Sequence, residues 1–72
     1  MLQGLYALLV LRRLDPRWVG AELHVDVHGR RFMIRGGPDS LSVRTLATTA
    51  PVTFDDPDDA LAAMGVGLDA TG

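Results

Sequence analysis

The first fourteen residues, MLQGLYALLVLRRL, are apolar at almost every position. Leu2, Leu5, Tyr6 and Leu9 recur at spacings of three and four and share one helical face. Leu8 and Leu11 define a second face, and Val10 and Leu14 a third. The pattern predicts a helix over residues 1–14. A helix apolar nearly all round is buried on more than one side. One sheet of the same chain covers only one side, which assigns Leu5, Leu8 and Leu9 to contact with a partner.

Asp15-Pro16 breaks that run. Asp is a good helix cap and Pro a good first helical residue, so a short turn is predicted over Pro16–Val19, with Trp18 packing inward and Gly20 ending it. Strict alternation follows. Leu23, Val25 and Val27 take one face of a strand, while Glu22, His24, Asp26 and His28 take the other. Gly29-Arg30 supplies a turn. Residues 31–35 return with Phe32 and Ile34 inward, and Gly36-Gly37-Pro38-Asp39 is a second turn signal. Leu41 and Val43 point inward on a third strand, and Val52-Thr53-Phe54 makes a short fourth. The sheet is thus expected over residues 21–54. Asp56 caps a last helix over 56–64, with Pro57 at its first position and Asp58 and Asp59 at the positive end of its dipole. Leu61 and Met64 face the core, Gly65 ends the helix, and residues 66–72 read as a loose tail. The fold class is α+β: an antiparallel meander of about four strands with both helices on one face.

Composition limits what such a chain does. At 72 residues it is one domain, 1–72, and it buries only about 60% of the surface its unfolded form exposes. It has no cysteine for a disulfide, and it is too rich in apolar residues, at 47%, for a disordered tail. Burial against a second copy or a neighbouring domain is the remaining route to stability. All seven basic residues are arginines, an Arg-for-Lys usage typical of a GC-rich genome, and all lie in residues 1–44 beside four acids. Residues 45–72 carry five aspartates and no base. The net charge of −2 lacks the basic footprint of a duplex-DNA binder. Arg12 and Arg13 follow the apolar run instead of preceding it, so the start is not a secretory leader, and about ten apolar residues do not span a bilayer. With no cysteine, the expected location is the cytoplasm.

Candidate chemistry is sparse. The aspartates at 55–59 lack the ligand alternation and bend glycine of a calcium loop, and helix capping accounts for them. In His24-x-Asp26-x-His28 the two imidazoles stand about 13 Å apart on a straight strand, too far for one metal. Their outer face is expected to pair with Arg31 or Arg35 across the hairpin. Ser40 and Ser42 lack a nucleophile context, and the Gly36-Gly37-Pro38 loop is followed by a strand, not by the helix of a phosphate cradle. No catalytic residue, metal or cofactor is assigned, and no enzyme activity is expected.

The order of elements carries a resemblance. An apolar helix, Asp-Pro, a strand–Gly–strand hairpin, Gly-Gly-Pro-Asp with a strand ending at Arg44, Val52-Thr53-Phe54 and the Asp-Asp-Pro-Asp-Asp-Ala-Leu-Ala-Ala-Met helix together resemble the sterol carrier protein type-two fold. In particular the chain resembles the small version appended to some actinobacterial winged-helix transcription regulators. That family continues with a fifth strand and a closing helix, whereas this chain ends at Gly72. The resemblance implies a non-catalytic sensing module that binds an apolar or lipid-like ligand. Its pocket would be walled by Trp18, Leu23, Val25, Phe32, Ile34, Val43, Phe54, Leu61 and Met64 and completed by a second copy. The alternative is a pure oligomerisation or protein-interaction module without a ligand. In neither case does the chain contact nucleic acid directly.

Overall fold

In a computed structural model, described over residues 1–47 and 50–65, the chain folds as α+β. Helix α1 (Leu2–Leu11) leads into five strands: β1 (Arg17–Val19), β2 (Glu22–Val27), β3 (Arg30–Gly36), β4 (Leu41–Thr45) and β5 (Val52–Phe54). Helix α2 (Pro57–Ala63) follows. The strands lie in chain order in one antiparallel sheet, each paired with its neighbour in sequence. The expected tail at 66–72 lies outside the described residues.

The sheet has five strands, not four, because the predicted turn at Pro16–Val19 is strand β1. Asp15-Pro16 reads locally as a cap followed by a first helical residue. Instead Val19 pairs with Glu22 across a two-residue loop in which Gly20 takes a φ of +60°, and pairing with β2 holds Arg17–Val19 extended. The β2–β3 hairpin turns one residue earlier than expected. His28 and Gly29 take φ values of +53° and +78°, as a two-residue primed turn requires, and Val27 pairs with Arg30.

Helix α1 ends three residues before the predicted limit. Arg13 adopts a left-handed φ of +63°, its N–H bonds the Val10 carbonyl at 2.9 Å, and the Leu14 N–H reaches back to Leu9 at 3.0 Å. This is a Schellman closure with Arg13 where glycine is usual, and Leu14 packs back on the core as the motif's apolar contact. Helix α2 follows its local signals. The Asp56 carboxylate accepts from the Asp58 N–H at 3.0 Å, Pro57 opens the helix, and Gly65 closes it at a φ of +84°.

Both helices cover one face of the sheet. Leu23, Ile34 and Val43 form a row across β2, β3 and β4, flanked by Val25, Phe32 and Leu41. Leu5 and Leu9 come down from α1, and Ala60, Leu61 and Met64 from α2. Gly36 admits the start of α1: a Cβ there would stand 3.0 Å from the Leu2 Cβ.

Candidate functional site

The open face of the sheet gathers the charged positions of the alternating strands. Arg17, His24, Met33 and Arg44 lie in one row across β1 to β4, and Asp26 pairs with Arg31 in the next. Glu22 is the centre of this face. Its carboxylate accepts from Arg44 at 2.8 Å and from Arg35 at 3.2 Å, and His24 Nε2 lies 3.5 Å from its other oxygen. The Arg44 hydrogen bond, with smaller help from His24 and the Arg35 charge, holds the Glu22 carboxyl below its ordinary value against a desolvation that pulls the other way. Asp26 is likewise lowered, first by two hydrogen bonds from Arg31 at 2.9 and 3.3 Å, and the same contact raises Arg31. These are the cross-hairpin pairings expected of Arg31 and Arg35. Met33, in the row between His24 and Arg44, is buried although it points away from the core.

This arrangement orders the open face of the sheet through ion pairs. The described residues contain no cluster of three or more metal-ligating side chains. His24 faces Glu22, while His28 sits in the hairpin turn and donates to the Gly65 carbonyl at 3.2 Å, tying β2 to the end of α2. No helix among the described residues is long and apolar enough to cross a membrane.

The sequence-assigned wall residues separate into two groups. Leu23, Val25, Phe32, Ile34, Val43, Leu61 and Met64 meet in one buried cluster between sheet and helices, and Phe54 packs against its edge. Trp18 does not join them. It shares their face of the sheet, but on edge strand β1 it stacks on Tyr6 of α1, with ring centroids 5.7 Å apart, and stays 46% exposed. Its predicted inward packing is corrected by that position, because no strand lies beyond β1 to cover it. A depression of about 480 Å³, open to solvent, lies elsewhere, between Gly29–Arg31 and Thr45–Ala47.

The partner-facing residues also move. Leu5 and Leu9 are fully buried within the single chain, and Leu8 is partly buried against the same core. These three therefore hold α1 to its own sheet. Among the described residues, the large apolar side chains left on the surface are Val10 and Leu11 of α1, Trp18 and Val19 of β1, Val52 of β5, and Met1 and Leu46, with Leu11 73% and Leu46 86% exposed. The sequence carried the signal for the first pair in an apolar character running all round α1. It could not rank the faces without knowing which one the sheet takes.

No protein-family model matches the chain, and no curated protein or solved structure matches it either.

Proposed function

We propose that this chain is a small non-catalytic interaction module that assembles with copies of itself through the apolar surface around α1 and β1. One observation carries the reading. Val10, Leu11 and Trp18 are all about half exposed or more, and Val10 lies one helical turn from Tyr6, which stacks on Trp18. Scattered exposed apolar side chains are ordinary, but a grouped set of this size is what interaction sites present. The carrier reading has less support. Seven of its nine wall positions already fill the layer between sheet and helices with one another, and drug-sized pockets need about 300–1,000 Å³.

The test is sedimentation velocity over a concentration series, comparing the wild type with Leu11→Asp and Val10→Asp. The wild type is expected to associate, and both variants to run as folded monomers with unchanged far-ultraviolet circular dichroism. Association unchanged in both variants would overturn this use of α1.

A further inference from the structure

Charge is shared unevenly over the open face of the sheet. At one end Arg17 and Arg31 stand beside Asp15 and Asp26, and the charges balance. At the other end Arg35 of β3 and Arg44 of β4 share a single carboxylate, Glu22 of β2. Both donate to the same oxygen, Oε2, at 3.2 and 2.8 Å. Among the described residues neither arginine pairs with another acid. These contacts favour the ionised form of Glu22, so one negative charge answers two positive ones, and His24 lies beside its other oxygen.

The geometry turns this surplus outward. The Glu22 side chain is only 14% exposed, whereas that of Arg35 is 70% exposed. Arg35 reaches the carboxylate through Nε and Arg44 through Nη2, one nitrogen each. A guanidinium carries five N–H donors in a planar fork that matches a carboxylate. Most of both forks is therefore uncommitted. Two like charges drawn to one oxygen also repel each other at short range, and a second carboxylate between them would relieve that repulsion. Ser42, directly opposite Arg35 on β4, brings a hydroxyl to the same place.

We propose that this end of the open face binds an acidic polypeptide segment, with a carboxylate of the partner bridging Arg35 and Arg44 on the side away from Glu22. The partner has to be a chain with several carboxylates. One exposed ion pair contributes only about 0–1 kcal/mol, too little to retain a single free carboxylate. Nucleic acid fits this face less well. Single strands are held by stacking on aromatic side chains, and here the alternation puts Trp18, Phe32 and Phe54 on the helix-covered side. The self-association surface, around α1 and Trp18, is on that covered side too, so the two readings stand separately.

Fluorescence anisotropy tests the proposal. A short fluorescein-labelled poly-glutamate peptide is titrated with the full chain at low salt, and a poly-glutamine peptide of equal length serves as the blank. Saturable binding of poly-glutamate alone is expected. Arg35→Gln should weaken it by about fivefold, and Arg35→Gln with Arg44→Gln by at least about tenfold. Arg30→Gln removes the same charge from the other side of the sheet, where its register partner Val27 faces the core, and should change affinity by less than about twofold. Poly-glutamate bound no better than poly-glutamine overturns the proposal. So does Arg30→Gln weakening binding as much as Arg35→Gln, because net charge alone would then be at work. An oligothymidylate bound more tightly than poly-glutamate overturns the choice of a polypeptide. Arg35 is exposed, so Arg35→Gln is expected to keep its far-ultraviolet circular dichroism and decides the matter should the double variant unfold. In sedimentation velocity Arg35→Gln is expected to match the wild type. Self-association lost in that variant would give the face to the Asp55–Asp59 stretch of a second copy and overturn a separate partner.

Discussion

The two helices of this domain are held by opposite means. Helix α2 has seven residues, too few to be stable alone, yet it carries a complete local signal: the Asp56 cap, Pro57 at its first position, acids in its first turn and Gly65 at its close. Helix α1 has ten residues, no side-chain cap, no acid in its first turn and no base in its last. Burial of Leu5 and Leu9 holds it down instead, and its closure strains a non-glycine residue, Arg13. The contrast teaches that α1 is held by its inward leucines, while its outward apolar side chains stay largely open, Val10 at 48% and Leu11 at 73% exposure. Val10 and Leu11 are neither core nor cap, which is why we attribute them to assembly.

The contrast can be broken most forcefully at Leu9. Leu9→Ala is expected to cost about 2–5 kcal/mol, measured by urea denaturation, because it empties a fully buried site shared by helix and sheet. A domain of this size has only a few kcal/mol of net stability, so the variant is expected to be largely unfolded at room temperature. A loss below 1 kcal/mol would mean that α1 is not anchored there. At α2 the effect should be smaller and local. Asp56→Ala removes the acceptor of the Asp58 N–H and is expected to cost about 1 kcal/mol in the same assay. An unchanged midpoint would deny the cap its role.

Arg13→Gly sharpens the comparison in the other direction. A left-handed non-glycine residue carries roughly 1–2 kcal/mol of strain, and glycine's extra freedom in the unfolded chain returns part of it. A net gain of about 0.5–1 kcal/mol is expected, and a loss would show that the Arg13 side chain contributes more than its backbone costs. The open face adds the mildest effect, a pH dependence. Glu22 and Asp26 titrate below their ordinary values when folded, so their contribution is complete above those values and disappears as pH falls through the lowered ones. Wild-type stability should therefore fall on acidification below about pH 4.5 more steeply than that of a Glu22→Gln, Asp26→Asn variant. Parallel acid limbs would contradict the pairing.

Much of this was legible in the sequence, for a physical reason. Alternation in β2 and β3 exposes one face to water and buries the other, so Leu23, Val25 and Ile34 read correctly as core. The cap of α2 is a contact between near neighbours, and its residues announce it. Strand β1 was not legible. Three residues leave no alternation to count, and Asp15-Pro16 mimics a helix start until pairing with β2 overrides it. Trp18 was misplaced for the same cause, since an edge position depends on what lies beyond it. In α1 the sequence showed too many apolar residues for one covering layer but could not say which were surplus; that required the position of the sheet beneath Leu5 and Leu9.

Native mass spectrometry of the full chain, purified without lipid extraction, tests the central claim most directly. The account predicts masses at whole multiples of the chain, growing with concentration and carrying no added mass. A single monomer peak at every concentration would contradict it, and a reproducible small-molecule adduct on a monomer would return the carrier reading in its place.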